Sequence, residues 1–220
     1  MEPSKRPRVK ICCISSKEEA KSAIAFGASA LGLVAEMPSG PGVINDKLIK
    51  EIAGSVPPPI STFLLTSRTN AKDIIEHHKL VNTNTIQIVD TLNSGTYQEI
   101  KMALPGIKVV QVIHVVGKES IDEAIELSQS VDAILLDSGN PNLAVKELGG
   151  TGRTHNWELS KKIRESLEIP IFLAGGLRPE NVKLAIETVQ PFGLDLCSGV
   201  RTNGTLDNNK LEAFFNALGY

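Results

Sequence analysis

A thiol and a carboxyl group stand where the ends of two separate strands would present them to a substrate. Cys12 lies near the end of the first apolar run, and Asp137 ends the sixth. Two such groups can isomerise a sugar, one by protonating the ring oxygen and the other by removing the C2 proton. A thiol is a competent base where positive charge or polar contacts lower its pKa. The alternative is structural, because strand cysteines are often small buried hydrophobes and aspartates often form turns.

Three glycine-rich segments follow the sixth, seventh and eighth apolar runs: Gly149-Gly150-Thr151-Gly152, Gly175-Gly176 and Ser198-Gly199. Glycine allows backbone N–H groups to approach an anion closely, and a helix that begins at Pro179 would add positive potential. Any one glycine pair is equally well explained as a tight turn. Three of them at consecutive strand ends favour a phosphate site. The candidate phosphate-binding residues are Gly150, Gly152, Gly175, Gly176, Ser198 and Gly199.

Eight strand–helix units must position these residues. The predicted strands are Val9–Ile14, Ala30–Ala35, Ile60–Leu65, Thr85–Val89, Lys108–Val115, Ala133–Asp137, Pro170–Ala174 and Leu194–Cys197. The predicted helices are Ser16–Phe26, Asp46–Ala53, Ala71–His78, Thr96–Ala103, Ile121–Ser128, Asn156–Leu167, Pro179–Thr188 and Leu206–Leu218. Strict alternation implies a parallel sheet, either a closed barrel or an open doubly wound sheet. Eight regular units favour a single (β/α)8 barrel over residues 1–220, with residues 1–8 as a short polar N-terminal extension.

Composition excludes several classes of function. The 23 basic and 25 acidic residues give a formal net charge of −2, and no basic stripe is interleaved with aromatic residues, so no nucleic-acid partner is expected. No apolar run approaches the length of a membrane span, and the polar first residues do not form a secretory signal. The three cysteines do not form a disulfide framework, which predicts a reduced cytoplasmic protein. No cluster has metal-site spacing.

Five segments together resemble phosphoribosylanthranilate isomerase in their residues and in their order along the chain, and the resemblance spans nearly the whole chain. They are residues 9–12 (VKIC), 135–137 (LLD), 149–157 (GGTGRTHNW), 175–182 (GGLRPENV) and 195–200 (DLCSGV). The resemblance implies a barrel of the ribulose-phosphate-binding type and a cofactor-free Amadori rearrangement in tryptophan biosynthesis. The implied substrate is N-(5-phosphoribosyl)anthranilate and the implied product is 1-(2-carboxyphenylamino)-1-deoxyribulose 5-phosphate.

The resemblance also implies roles for individual residues. Cys12 matches the family's general base and Asp137 its general acid, while the Gly175-Gly176 and Ser198-Gly199 segments match its phosphate cradle. Asp195 matches a substrate-contacting aspartate, Gln87 is retained from the family's fourth-strand pattern, and Arg153 stands where the family has a basic residue. The expected partner is a small phosphorylated sugar, bound by a monomer or a homodimer.

The sequence departs from the family at three places. The loop after the second strand, residues 37–43 (MPSGPGV), lacks the arginine that pairs with the anthranilate carboxylate, and Arg68 and Arg153 are the candidate substitutes. The fourth strand ends in residues 87–90 (QIVD) where the family has Gln-Leu-His-Gly. Cys13 replaces a glycine, and Arg201 replaces a glutamate. We expect Arg201 to be solvated, the alternative being that it strengthens anion binding.

Three functions remain open from the sequence. The first is the isomerase acting on phosphoribosylanthranilate. The second is a related barrel isomerase for a different phosphorylated aminosugar, which the missing arginine suggests. The third is a non-catalytic barrel that binds a phosphorylated metabolite, and the presence of both Cys12 and Asp137 argues against it, because a binding protein needs neither.

Overall fold

A closed barrel of eight parallel strands forms the centre of the computed structural model, which describes residues 6–139, 146, 148, 150 and 152–219. The strands follow one another around the barrel in chain order, and β8 closes it against β1. They are β1 (Arg8–Ile11), β2 (Ala30–Val34), β3 (Ser61–Thr66), β4 (Thr85–Ile88), β5 (Lys108–His114), β6 (Ala133–Asp137), β7 (Ile171–Leu173) and β8 (Gly193–Leu196). The predicted closed barrel is therefore confirmed over the open doubly wound sheet.

A helix follows each strand and covers the outside of the barrel. The helices are α1 (Lys17–Ala25), α2 (Asp46–Ala53), α3 (Ala71–Val81), α4 (Tyr97–Ala103), α5 (Glu119–Ser128), α6 (Trp157–Ser166), α7 (Val182–Val189) and α8 (Asn208–Leu218). In the described part of the chain, no helix is both long enough and apolar enough to cross a membrane. Strand β1 begins at Arg8, so it takes in the last residue of the predicted extension, while residues 1–5 lie outside the described residues.

Alternation along each strand divides the buried side chains into two cores. On β5, Val109 and Ile113 pack outward against the helices, whereas Val110 and Val112 point into the barrel. The outer core is mainly aliphatic, while polar and ionisable groups line the upper part of the barrel interior. A side chain at an inward position near the carboxyl end of a strand is consequently delivered to the barrel mouth.

Strand β1 ends at Ile11, short of the predicted end at Ile14, and several other bounds shift by a few residues. Two larger differences from the prediction lie near the barrel mouth. Helix α7 begins at Val182 and not at Pro179, because the Asn181 amide accepts a hydrogen bond from Arg178 N at 2.8 Å and donates one to Gly176 O at 2.9 Å. Between β8 and α8 the chain also forms a one-turn 3-10 helix (Ser198–Val200) and a hairpin of β9 (Arg201–Thr202) and β10 (Thr205–Leu206). The hairpin turns at Asn203-Gly204, both with positive φ.

Candidate active site

A cavity at the carboxyl-terminal mouth of the barrel gathers ten of the eleven predicted site residues. They are Cys12, Gln87, Asp137, Gly150, Gly152, Gly175, Gly176, Asp195, Ser198 and Gly199. Arg153 is the exception: it is exposed and does not line the cavity. Gly149 and Thr151, which belong to the predicted loop after β6, lie outside the described residues.

Cys12 is the first residue after β1 and is buried at the cavity wall. Its backbone N–H donates to Leu196 O at 2.7 Å, which continues the pairing of β1 with β8. Gly32 on β2 leaves room for its thiol, because a Cβ at that position would lie 2.8 Å from the Cys12 Sγ and 3.1 Å from the Lys10 Nζ. The thiol and the Lys10 ammonium are therefore close neighbours on the inner face of β1.

The surroundings of Cys12 favour its thiolate. A hydrogen bond from the Cys13 thiol, together with the positive charge of Lys10, lowers the pKa of Cys12 against the opposing effect of burial. The same hydrogen bond and the contact with Cys197 raise the pKa of Cys13 well above the ordinary thiol value. Of the two adjacent thiols, Cys12 is thus the one that ionises first.

Asp137 ends β6 on another part of the cavity wall and is also buried. Burial raises its pKa, and the negative charge of Asp195 adds to this effect, while the hydrogen bond from Ser138 N at 2.7 Å and the nearby His114 oppose it. A carboxyl group whose pKa is raised keeps its proton at higher pH than an exposed one. The site therefore holds an acid and a base whose environments shift their pKa values in opposite senses.

Asp195 and Lys10 form a buried ion pair across the β1–β8 boundary. The Lys10 Nζ lies 2.8 Å from Asp195 Oδ1 and 5.2 Å from the centre of the Phe63 ring. The Lys10 side chain is fully buried, so its charge acts on its neighbours with little screening. Sequence reasoning missed this lysine, although its position two residues before Cys12 places both side chains on one strand face.

Gln87 carries an unsatisfied polar atom. Its side chain is buried in the cavity wall, and its Oε1 has no hydrogen-bond partner among the described residues. A buried amide oxygen without a partner is costly unless a ligand supplies a donor. Sugar hydroxyl groups are such donors, so this atom supports the predicted role of Gln87 in binding substrate.

The glycines of the loops after β6 and β7 allow these loops to pack closely and leave their backbone open to the cavity. At Gly176 the backbone has φ of +61°, and a Cβ would lie 2.7 Å from the carbonyl carbon of Arg153 and 2.8 Å from Thr154 N. A Cβ at Gly150 would collide with the Pro41 ring. The loops after β2, β6 and β7 thus pack so closely that there is no room for a side chain at these glycines. Because glycine has no side chain, the backbone of these residues is also open to the cavity.

Neither candidate substitute for the missing arginine reaches the cavity with its side chain. Arg153 contributes only backbone, which packs against Gly175 and Gly176. Arg68 is exposed and lines a neighbouring cleft that shares Met37 with the cavity. Among the described residues that line the cavity there is no lysine or arginine. Lys146, in the loop after β6, is paired with Asp90: its Nζ lies 2.6 Å from Asp90 Oδ2.

One part of the cavity wall is apolar and was missed by sequence reasoning. Its residues come from the inner face of the barrel and from the loops above it: Val34, Met37, Pro41, Leu65, Val89, Val112 and Leu148. Inward alternation could have identified Val34, Leu65 and Val112, but nothing in their residue type separates them from core. This wall suits the ring of an aromatic aglycone.

The expectation for Arg201 was wrong in both its forms. Its side chain is buried, paired with Glu19 at 3.0 Å, and it does not line the cavity. The Arg201 side chain is held inside the fold because the carboxylate of Glu19, at the start of α1, points toward the loop after β1 and not toward solvent. His155, in the loop after β6, is likewise held by the fold, with its Nε2 2.7 Å from Ser160 Oγ.

Comparison with known proteins places this arrangement in a recognised group. A family model described as N-(5'-phosphoribosyl)anthranilate (PRA) isomerase matches residues 9–217. The N-(5'-phosphoribosyl)anthranilate isomerase of Methanothrix thermoacetophila is 36% identical over 210 residues, which are 94% of this chain and 95% of that protein. The same enzyme from Methanosarcina acetivorans is 33% identical over 222 residues, covering 95% of this chain and 92% of the relative.

Solved structures agree with the sequence relatives. The phosphoribosyl anthranilate isomerase of Thermotoga maritima superposes with a TM-score of 0.79 at 27% identity, covering 97% of this chain and 98% of that one. A phosphoribosyl anthranilate isomerase in complex with reduced 1-(o-carboxyphenylamino)-1-deoxyribulose 5-phosphate superposes with a TM-score of 0.76 at 25% identity, with the same coverage. Monomers generated from the dimeric Thermotoga maritima enzyme are also among the neighbours.

Proposed function

The chain belongs to the N-(5'-phosphoribosyl)anthranilate isomerase family, and we propose that it carries out that family's step of tryptophan biosynthesis with Cys12 as general base and Asp137 as general acid. The substrate is N-(5-phosphoribosyl)anthranilate and the product is 1-(2-carboxyphenylamino)-1-deoxyribulose 5-phosphate. The observation that carries the assignment is the pair itself, a buried thiol with a lowered pKa and a buried carboxyl with a raised pKa on one cavity wall.

In the proposed mechanism Asp137 and Cys12 each carry out one proton transfer, at the ring oxygen and at C2, and ketonisation follows. Protonated Asp137 gives its proton to the ring oxygen as the C1–O bond breaks, which opens the ring and leaves a C1=N iminium ion. The Cys12 thiolate then removes the proton from C2, and the electrons of that C–H bond form the enolamine. Ketonisation, with a proton added at C1 and one lost from the C2 hydroxyl, completes the rearrangement. Carbon C2 is oxidised and C1 reduced within one molecule, so the equation needs no external oxidant.

In this proposal the phosphate lies on the glycine-lined side of the cavity and the aglycone on its apolar side, and the two sides meet where Gly150 packs on Pro41. The glycine-lined loops after β6, β7 and β8 supply backbone to the phosphate through Gly150, Gly152, Gly175, Gly176, Ser198 and Gly199. Gln87 Oε1 accepts from a sugar hydroxyl, and Asp195 contacts the substrate beside its ion pair with Lys10. The anthranilate ring rests on the apolar wall, and Arg153 acts through the backbone it packs on the β7 loop.

The chemistry also bears on where and how the protein works. Cys12 must stay a reduced thiol to act as base, so we propose a reducing cytoplasmic location. The proposed acid, base and phosphate-binding residues lie together in one cavity of this chain, so the proposed mechanism is compatible with a monomer or a homodimer. Size-exclusion chromatography with light scattering distinguishes the two states.

The deciding experiment follows the loss of substrate fluorescence with freshly made phosphoribosylanthranilate. The wild type should turn over, and Asp137→Asn should lower kcat/KM by about 10²- to 10⁴-fold, because the amide cannot donate the proton in the same way. Asp122→Asn, an exposed aspartate on α5, is the matched control and should retain activity. Failure of a folded, phosphate-binding wild type to turn over would overturn the proposal in favour of a different phosphorylated aminosugar.

A further inference from the structure

A buried ion pair lies directly behind the catalytic thiol, outside the cavity. Arg201 donates to Glu19 Oε1 at 3.1 Å and to Glu19 Oε2 at 3.0 Å. The same guanidinium donates to Gly204 O at 2.8 Å, to Cys12 O at 3.3 Å and, in a short hydrogen bond, to Cys13 O. One side chain thus connects the loop after β1, the start of α1 and the β9–β10 hairpin.

The Glu19 carboxylate completes the connection. Its Oε2 accepts from Ser15 N and its Oε1 from Leu206 N, each at 2.9 Å. Although burial raises the pKa of Glu19, the hydrogen bonds from Arg201 and from these two backbone groups lower it overall, so the carboxylate stays ionised. The carboxylate is therefore satisfied at both oxygens and the guanidinium at both terminal nitrogens, while Arg201 Nε has no hydrogen-bond partner among the described residues. A buried ion pair is tolerated when its charged groups are paired and hydrogen-bonded in this way.

The backbone that Arg201 holds has an unusual conformation. Cys13 has φ of +63°, in the left-handed region that a side chain disfavours and glycine adopts freely. Because peptide groups are planar, fixing the carbonyl oxygens of Cys12 and Cys13 fixes the two peptide planes that follow these residues. The N–H groups of Cys12 and Ile14 are held separately, by Leu196 O at 2.7 Å and Gly32 O at 3.0 Å.

From this geometry we infer that Arg201 and Glu19 are positioning residues that hold the left-handed turn at Cys13 and thereby aim the Cys12 thiol into the cavity. The inference rests on the proposed role of Cys12 as base. A side chain at residue 13 makes the turn unfavourable, and the guanidinium binds the carbonyl groups that the turn directs toward it.

The test is a rescue experiment. The double variant Arg201→Met/Glu19→Gln removes both charges and leaves no unpaired ion. We expect kcat to fall about tenfold or more, since small displacements of a reacting group are costly, while KM changes less than about twofold because the ligand contacts remain. Adding Cys13→Gly should restore most of the pH-independent kcat, because glycine adopts the left-handed conformation without the guanidinium. Loss of the Cys13 thiol hydrogen bond raises the pKa of Cys12 and should move only the acid limb of the pH profile, to higher pH.

Controls separate positioning from general stability. Lys101→Met/Asp132→Asn removes another ion pair, of 3.1 Å, at the opposite end of the barrel and should leave kcat unchanged. If Arg201→Met/Glu19→Gln does not fold, Arg201→Lys replaces it: one ammonium cannot reach both carbonyls and the carboxylate, so kcat should again fall and Cys13→Gly should again restore it.

The outcomes also distinguish this inference from the function on which it rests. A folded charge-free variant with unchanged kcat overturns the inference, and so does a loss of kcat that Cys13→Gly fails to restore. In either case, a Cys12→Ala variant that has lost turnover leaves the proposed function standing. If Cys12→Ala retains full turnover, Cys12 is not the base and both proposals fail.

Discussion

The mouth of this barrel has two halves that differ in chemistry. The catalytic half is formed by the ends of β1, β6, β7 and β8 and holds the thiol, two carboxyl groups and the open glycine backbone. The aglycone half is formed by the ends of β2 to β5 with Met37, Pro41 and Leu148 above them, and apart from Gln87 its side chains in the cavity are mainly apolar. The proposed proton transfers and anion binding are therefore concentrated on one side, and the proposed burial of the ring on the other.

The contrast shows how the two halves support each other. Apolar side chains on the aglycone half exclude water, and charges act over longer range where water is excluded. The Lys10 charge below Cys12 and the raised pKa of Asp137 both depend on such surroundings. We therefore expect changes in the catalytic half to lower kcat and changes in the aglycone half to raise KM.

Replacing the proposed base should have the largest effect. Cys12→Ala removes the group that takes the C2 proton, so kcat should fall by about 10²- to 10⁴-fold while inorganic phosphate still binds. Steady-state turnover and phosphate titration measure the two properties. Cys197→Ala, which removes a neighbouring thiol of the same cavity, is the matched control. Equal losses in the two variants would show that thiol packing, and not base catalysis, governs the catalytic half.

Removing the buried lysine should move the pH profile. The proposed mechanism requires ionised Cys12 and protonated Asp137, so kcat/KM should rise with pH as the thiol ionises and fall as the carboxyl loses its proton. Lys10 lowers the pKa of both groups, and Lys10→Met should therefore move both limbs to higher pH. Lys108→Met, an exposed lysine at the start of β5, is the control. An unmoved acid limb would mean that Lys10 only pairs with Asp195.

The aglycone half should respond in KM alone. Leu148→Ala removes buried apolar surface from the wall, and the loss of contact should raise KM about tenfold while kcat changes less than about twofold. Leu80→Ala, at an exposed leucine of α3, should change neither constant. If kcat falls by the same factor as KM rises, the division between the halves is wrong. Such a fall in kcat would show that Leu148 makes a contact with the substrate that forms only in the transition state.

The division between the catalytic and aglycone halves also explains which parts of the site could be predicted from the sequence. Strand–helix alternation predicts the barrel, and the strand ends then place Cys12, Asp137 and the glycines at one mouth without any coordinates. The apolar wall could not be predicted, because Val112 has the same residue type and spacing as any core residue. Folding decides which apolar side chains face a ligand.

Some of the differences between the prediction and the structure could have been predicted from the sequence, and others could not. The Asn203-Gly204 dipeptide is a hairpin signal, so the β9–β10 hairpin was predictable from local rules. The burial of Arg201 was not, because its partner Glu19 is 182 residues away in the chain. Long-range pairing of charged side chains depends on how the strands close the barrel, which no local pattern specifies.

The smallest expected effect concerns stability in the loop that borders the catalytic half. Burial lowers the pKa of His155 to about 4, below its ordinary value of about 6.5. Between these values the unfolded chain binds a proton that the folded protein does not, so the free energy of unfolding should fall as pH drops from about 6.5 to about 4. His155→Gln should reduce the loss between pH 7 and pH 5 by about 2 kcal/mol in urea denaturation. Exposed Glu158→Gln is the comparison variant and should leave that loss unchanged. A large change in kcat at pH 7 for His155→Gln would extend the catalytic half to include this histidine.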